Sequence, residues 1–271
     1  MKNLHWREWL IEAGGLGLFM VSAGLFATLL FSPGSPVSHR IGSPLALRAL
    51  MGLAMGATAA ALIYSPWGRR SGAHFNPATT WTFYRLGKVA PVDAIAYPIA
   101  QFAGGLAGVV AVSLLVGRPF EERPVDWVAT RPGQYGPGVA FAAEVAIAFI
   151  LMTVVLEVSN RPRFARFTGM CAAALVFLDI TFEAPLSGMS LNPARSLASI
   201  VPSMDFTGVW IYLTAPLLGM LGAAELYRRW PGIRPVLCAK LHHDDSSPCP
   251  FRCGFCRHET PRAEGASNSA Q

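Results

Sequence analysis

Long apolar runs without a charged residue limit the fold of this chain more than any other feature. Four of them cover residues 13–38, 49–68, 94–117 and 207–224. Each is long enough to cross the hydrocarbon core of a bilayer as a helix. Two shorter runs, 145–156 and 167–178, are extended by weakly polar flanks. Because 52% of the residues are apolar and only 14% are charged, we predict an all-α membrane protein with six spanning helices, surrounded by a lipid bilayer.

The distribution of Arg and Lys indicates the orientation of these spans. If both termini are cytoplasmic, most basic loop residues lie inside, such as Arg69, Arg70 and Arg166, and few lie outside, such as Arg118 and Arg123. This bias is typical of multi-pass membrane proteins, so it accounts for the net charge of +6 without a nucleic-acid partner. We expect a multi-pass protein of the plasma membrane with both termini in the cytoplasm, and a bacterial source.

The two halves of the chain repeat one pattern: a span that carries a glutamate, a second span, and a Ser-Gly-x-x-x-Asn-Pro-Ala turn. Glu12 and the turn at 71–78 in the first half correspond to Glu144 and the turn at 187–194 in the second. Each half has three spans, so the second half enters the membrane from the opposite side and the repeat is an inverted 3+3 repeat. The repeats are expected at about 8–116 and 137–228, within a domain of residues 1–230 that precedes a tail of residues 231–271.

Each Asn-Pro-Ala turn is followed by a segment too short to cross the membrane, at 79–86 and at 196–202. Proline suits the first turn of a helix, and the preceding asparagine suits the N-cap. The pattern therefore predicts two re-entrant half-helices that begin near the midplane. Irregular backbone at that depth is tolerated only where protein or water supplies hydrogen-bond partners. The loops at 72–75 and 188–191 are therefore expected to border an aqueous path.

These motifs resemble those of the major intrinsic protein family, the aquaporins and glycerol facilitators, over roughly residues 12–229. The resemblance rests on the paired turns, on Gln101 and Gly104 in the third span, and on the Arg195 and Ser196 that follow the second turn. It implies a right-handed bundle of six transmembrane helices with two half-helices, assembled as a homotetramer. It also implies a passive channel, not an enzyme, which conducts water and other small neutral solutes, excludes protons and ions, and requires no cofactor.

The resemblance also assigns pore residues. The paired motifs are Asn76, Pro77, Ala78, Asn192, Pro193 and Ala194. The two asparagine amides can donate to the oxygen of one passing water and interrupt a chain of hydrogen-bonded waters. Backbone carbonyls expected to replace lost hydration belong to Gly72, Ala73, His74, Gly188, Met189 and Ser190. Glu12 and Glu144 are expected to accept hydrogen bonds from the loops and to hold their shape.

The outer selectivity filter is expected around Arg195, because an arginine at this depth is costly unless it faces the pore. In the family, one residue of span five and one of the second loop join it, and counting back from Asn192 gives Ile180 and Met189. Water-selective members typically carry a histidine and a small residue there. The span-two member is either Leu53 or Gly56. Water is the first expectation for the solute, and glycerol or another small neutral solute is the alternative.

A protein of another class, a secondary transporter, can also be built on an inverted repeat with broken helices. A carrier coupled to protons or sodium needs a titratable or ion-coordinating group at its substrate site. The midplane motifs here offer amides and apolar side chains instead, which favours a channel.

The tail contains a cluster of cysteine and histidine residues. Cys238, His242, Cys249 and Cys253 have the side chains of a tetrahedral zinc site, although their spacing matches no zinc-finger pattern. The alternative is a set of reduced thiols on a flexible cytoplasmic tail, where disulfides are not expected. From Glu259 onward the composition is typical of disorder.

Overall fold

The computed structural model describes residues 4–230, 234–243 and 248–255. These residues form helices and loops and contain no strand. The helices, in chain order, are α1 (Trp6–Phe31), α2 (Pro36–Ile41), α3 (Pro44–Tyr64), α4 (Pro66–Ser71), α5 (Pro77–Arg85), α6 (Pro91–Val116), α7 (Arg118–Glu121), α8 (Gly136–Ser159), α9 (Thr168–Leu178), α10 (Ala184–Ser187), α11 (Pro193–Ser203) and α12 (Val209–Arg229).

Six stretches of the described chain are long and apolar enough to cross a membrane, as the sequence predicts. Five are single helices: α1, α3, α6, α8 and α12. The sixth, Ala165–Ser187, joins α9 to α10 through a π-helical segment, Asp179–Glu183. The wider π turn changes which side chains of this span face the protein interior. With six spans, the start of α1 and the end of α12 lie on one side, called here the terminal face.

The first span begins earlier and ends earlier than the apolar run at 13–38. Helix α1 includes Glu8, which is possible because Arg70 donates to its carboxylate, with an Nε to Oε1 distance of 2.8 Å. At the other end, a turn after Phe31 redirects the chain into α2, which has Pro36 in its first turn. Proline has no N–H to continue a helix from the preceding turn.

The same helix pairs form in both halves, which is the signature of the inverted repeat. Helix α1 packs along α6 in the first half, and α8 packs along α12 in the second. A Cβ atom at Gly104 would lie 1.9 Å from the carbonyl oxygen of Ala13, and one at Gly219 would lie 2.4 Å from that of Val145. The absence of side chains at these two glycines therefore lets each pair of backbones approach closely.

The two half-helices begin directly at the prolines of the Asn-Pro-Ala turns, two or three residues before the predicted segments. The side-chain oxygen of Asn76 accepts the N–H of Ala78 at 2.9 Å and caps α5. The oxygen of Asn192 accepts the N–H of Ala194 at 3.0 Å and caps α11. Each asparagine thus satisfies a backbone donor that would otherwise be unpaired at the start of a buried helix.

The described part of the tail packs against the terminal face. Leu237 donates its backbone N–H to the Oδ1 of Asn160 at 2.6 Å, and Lys88 donates its ammonium to the carbonyl of Leu237 at 3.3 Å. Cys238 and Lys240 are both 2% exposed. The segment expected to be disordered, from Glu259 onward, lies outside the described residues.

Candidate pore

A carboxylate from α1 binds the backbone of the first re-entrant loop. Glu12 accepts the hydroxyl of Ser71 at 2.7 Å and the backbone N–H groups of His74 and Phe75 at 3.1 and 2.6 Å. The side-chain amide of Gln101 donates to the same carboxylate at 2.8 Å. A single buried acid thereby satisfies two loop N–H groups that have no helical partner.

Glu144 of α8 does the same for the second loop. It accepts the hydroxyl of Ser187 at 2.8 Å and the backbone N–H groups of Ser190 and Leu191 at 2.6 and 2.9 Å. Both acids are fully buried. The two loops therefore have one architecture, in which a carboxylate binds the loop backbone on the side away from the cavity.

Both loops contain the same succession of left-handed residues. Positive φ angles occur at Gly72 (99°), Ala73 (56°), Phe75 (45°), Gly188 (82°), Met189 (50°) and Leu191 (60°). Four of these residues carry a side chain, for which this region is unfavourable. The hydrogen bonds to the two glutamates offset that cost and keep the loops open toward the cavity.

Five of the six loop residues expected to offer carbonyls line the cavity: Ala73, His74, Gly188, Met189 and Ser190. Gly72 is the exception and corrects the sequence interpretation. It is not among the residues that line the cavity, and its carbonyl accepts the backbone N–H of Leu241 in the tail at 3.1 Å.

The two asparagines of the paired motifs bind each other's loops. The Nδ2 of Asn76 donates to the carbonyl of Leu191 at 2.8 Å, and the Nδ2 of Asn192 donates to the carbonyl of Phe75 at 2.7 Å. Each primary amide has two N–H groups, so each keeps a second donor after this bond. Both asparagines line the cavity.

A continuous cavity of about 700 Å³ passes these amides. Its lining is mainly apolar, from Leu47 at one end to Leu151 and Val155 nearer the terminal face. Small-molecule sites of this kind combine apolar walls with a few placed polar groups. The arrangement can therefore pass a small solute along a mainly apolar path with a few hydrogen-bond partners.

Arg195, Ile180 and Met189 line the same cavity. The backbone N–H of Arg195 donates to the Oδ1 of Asn192 at 3.2 Å, which ties the arginine to the motif. Its Nη1 has no hydrogen-bond partner among the described residues. An arginine nitrogen that is buried without a protein partner is suited to bind a polar solute in the cavity.

The span-two filter residue is neither Leu53 nor Gly56. Leu53 is 61% exposed on the outer surface, and a Cβ at Gly56 would lie 2.7 Å from the carbonyl oxygen of Ala173, against α9. The cavity is instead lined by Met51 and Met55. Helix α4 lies between α3 and the first Asn-Pro-Ala turn. A residue count back from Asn76 therefore does not show which face of α3 lines the cavity.

Sequence reasoning also missed Arg48 as a residue of the cavity wall. It lines the cavity and donates its Nε to the carbonyl of Thr181 at 3.1 Å, beside the π-helical segment. The available signal was its place directly before the apolar run at 49–68, because a charged residue so close to a span is favoured where it faces the pore.

A second cluster of chemically active side chains lies in the tail. The ligand atoms of Cys238, His243, Cys249 and Cys253 all lie within 4.8 Å of one another. The histidine of this group is His243 and not His242, whose ring instead packs edge-on against Tyr64 with 4.8 Å between centroids. The two adjacent histidines thus have different surroundings, which composition alone cannot resolve.

Comparison with known proteins shows which family and which proteins this chain resembles. A family model described as major intrinsic protein matches residues 3–227. A probable NIP-type aquaporin of Nicotiana alata is 34% identical over 162 residues, which are 59% of this chain and 58% of that protein. Aquaporin NIP1-3 of Oryza sativa subsp. japonica is 34% identical over 168 residues, which are 61% of this chain and 56% of that protein.

The chain therefore spans less than two thirds of the length of these curated relatives. Both relatives come from plants, which gives no support to the expected bacterial source. Among solved structures, the X-ray structure of the aquaglyceroporin from Plasmodium falciparum superposes with a TM-score of 0.67. It is 24% identical and the match covers 83% of this chain and 96% of that chain, so it shows the shared fold.

Proposed function

Because the chain belongs to the major intrinsic protein family, we propose that it is a passive channel that conducts water and small neutral solutes and excludes protons and ions. The observation that carries this proposal is the reciprocal bonding of Asn76 and Asn192, whose amides both line the cavity. Each amide keeps one donor for a passing oxygen. A water that accepts from both amides turns its own hydrogens away, which breaks a proton-conducting chain of waters.

The half-helices support the exclusion of cations. The N-termini of α5 and α11 meet at the two asparagines, and the N-terminus of a helix carries a partial positive charge. Arg195, in the first turn of α11, adds a full positive charge to the same path. Together these charges raise the energy of any cation near the midplane, whereas a neutral solute is unaffected.

The composition of the filter favours a second candidate solute. Ile180 and Met189 face the cavity beside Arg195, and Met51 lines it from α3. This filter presents an arginine against apolar walls, which suits a molecule with hydroxyl groups on one side and carbon on the other. Glycerol or a similar small neutral polyol is therefore the alternative to water.

We further propose that the channel is a multi-pass protein of the plasma membrane with both termini in the cytoplasm, as the excess of basic residues on the terminal face supports. A homotetramer with one pore per subunit is the assembly proposed from family membership. Large apolar side chains such as Leu114 and Leu115, 83% and 76% exposed, suit contact with lipid or with a neighbouring subunit. Native mass spectrometry in detergent tests this assembly.

Stopped-flow light scattering on proteoliposomes tests the channel, with water and glycerol compared in one preparation. Both the full chain and a variant truncated after residue 233 are measured, since the family match ends at residue 227. We expect permeability above that of empty liposomes, without dependence on an imposed proton or sodium gradient. No permeability in either form contradicts the channel, and dependence on a gradient indicates a coupled transporter.

Asn192→Asp sharpens this test, because aspartate keeps the oxygen that caps α11 but has no amide N–H. We expect the folded variant to leak protons, measured with a pH-sensitive dye inside the liposomes. A proton permeability equal to that of the unsubstituted channel contradicts the role assigned to the amide.

A further inference from the structure

The tail lies across the terminal end of the cavity. Leu241 lines the cavity itself and donates its backbone N–H to the carbonyl of Gly72 at 3.1 Å. Two residues earlier, the carbonyl of Ala239 accepts a hydrogen bond from the Nε2 of His74 at 2.9 Å. The tail therefore bonds directly to the backbone and to a side chain of the first pore loop.

An aromatic contact adds to these two hydrogen bonds between the tail and the pore loop. The ring of Phe251 stacks on the ring of His74, with 5.0 Å between centroids and 4° between planes. A Cβ at Gly72 would lie 2.5 Å from Phe251, so the ring fills the space left by that glycine. Phe251 and Leu241 are 7% and 8% exposed, which is the burial of core residues.

Leu241 adds an apolar residue to the cavity wall at the terminal mouth. Apolar constrictions can close a pore by excluding water from it. The described tail segments, residues 234–243 and 248–255, are called the tail cap below. In the observed position the tail cap lies at the terminal mouth, where Leu241 is part of the cavity wall and its backbone N–H occupies one lone pair of the Gly72 carbonyl.

The four side chains of the Cys/His cluster lie close together within the tail cap and join its two segments. The Sγ atoms of Cys238 and Cys249 are 3.5 Å apart, and the Nε2 of His243 is 3.1 Å from the Sγ of Cys253. Around a tetrahedral zinc ion with bonds of about 2.3 Å to sulfur and about 2.0 Å to nitrogen, such separations are about 3.8 and 3.5 Å. All four ligand atoms lie within 4.8 Å of one another, so a contraction of up to about 1 Å brings them into bonding positions.

The charges around the cluster fit a metal as well. The backbone N–H of Lys240 points to the Sγ of Cys238 at 3.5 Å. Its ammonium, which donates to the carbonyl of Pro248 at 3.1 Å, lies on the same segment and offsets the net negative charge of a zinc ion bound by three thiolates.

We propose that Cys238, His243, Cys249 and Cys253 bind one zinc ion, and that the zinc-bound tail cap closes the terminal mouth of the pore. This proposal rests on the channel function proposed above. Zinc holds together two separate segments of the tail, as the metal does in other small metal-stabilised folds. Removal of the metal releases Leu241 and Phe251 from the pore loop and opens the mouth.

Metal content tests the site in the full chain. We expect one zinc per chain by elemental analysis, and thiolate-to-metal charge-transfer absorption after exchange for cobalt. Cys249→Ser and His243→Ala are expected to abolish both signals. Cys171→Ser, a cysteine of α9 outside the cluster, and His242→Ala are the matched controls, and both are expected to keep the metal. Absence of zinc from the unsubstituted chain, or its retention in Cys249→Ser, overturns the site.

Permeability tests the closure. If the tail cap closes about nine channels in ten, about one in ten is open, and releasing the cap opens the rest. We therefore expect a chelator, or Cys249→Ser, to raise the water permeability of the full chain about tenfold. Leu241→Ala is expected to raise it as well while keeping the zinc, which separates closure from metal binding. Cys171→Ser is expected to match the unsubstituted chain in both the presence and the absence of chelator.

The outcomes distinguish this proposal from the channel function on which it rests. Equal permeability of the full chain with zinc, without zinc and after truncation at residue 233 overturns the cap and leaves the channel intact. No permeability in any form, including the truncated one, overturns the channel and the cap together.

Discussion

Tyr97 and Tyr212 make the same hydrogen bond in the two halves of the molecule. The hydroxyl of Tyr97 donates to the carbonyl of Ser71 at 2.9 Å, and that of Tyr212 donates to the carbonyl of Ser187 at 2.6 Å. Each serine begins a re-entrant loop, and both tyrosines are fully buried. In each half, a tyrosine of the third span therefore binds the start of the re-entrant loop, and a glutamate of the first span binds the backbone further along it.

We expect Tyr97→Phe and Tyr212→Phe each to lower the free energy of unfolding by about 1 kcal/mol, because each leaves one buried carbonyl without its donor. The two bonds share no partner, so the double variant should lose the sum of the two effects. Thermal unfolding in detergent measures both. Unchanged stability in the single variants would show that the carbonyls find another donor.

Glu12→Gln and Glu144→Gln are expected to be more damaging than their small change in shape suggests. Glutamine replaces one acceptor oxygen by an NH₂ group, which leaves the N–H of Phe75 or of Leu191 facing another donor. An unsatisfied buried donor costs about 1–3 kcal/mol. We expect this loss of stability in both variants, together with a lower water permeability because the loops lose their shape; stability equal to that of the parent contradicts the account.

The helix crossing at Gly104 gives a prediction with a control in the same chain. Gly104→Ala places a methyl group against the backbone of Ala13, and we expect a loss of about 1–3 kcal/mol from overpacking. Gly14→Ala, where a Cβ has no neighbour within 4 Å, should be neutral or stabilising by up to about 1 kcal/mol through helix propensity. Detergent melting curves of the two variants compare them; equal melting temperatures would refute the close approach.

Arg195→Val is expected to increase the glycerol and proton permeability of the chain truncated after residue 233. The substitution removes bulk from the filter, and at about 4 Å a unit charge contributes up to about 4 kcal/mol at an effective dielectric of 20, so a rise of about tenfold or more is expected. Arg118→Val is the control, since that side chain is 87% exposed. Equal selectivity in the two variants would show that Arg195 does not contribute to the filter.

The sequence predicted the architecture well where the signal was local. The apolar runs and the repeated turn gave six spans and two half-helices, because hydrocarbon thickness and helix capping act on neighbouring residues. The start of α1 differed from the predicted start because the pairing of Glu8 with Arg70 joins residues far apart in the chain. A search for apolar runs cannot detect an ion pair between residues that are distant in the sequence.

The candidate site was predicted in part. The positions of Ile180, Met189 and Arg195 on the cavity wall follow from a short count to Asn192. The residue count from the first turn back to span two passes through α4, so the prediction of Leu53 or Gly56 was wrong. The tail could not be placed at all, because its contacts with His74 and Gly72 depend on how the chain returns after α12 and not on any local pattern.

The left-handed backbone at Met189 has a consequence for changing what the pore admits. Its φ of 50° disfavours β-branched side chains, so a library of variants at this position can sample few shapes: glycine, asparagine and unbranched chains. Ile180 has helical backbone and accepts almost any side chain. An engineer who wishes to retune this filter would therefore gain most by varying position 180 first and leaving position 189 as it is.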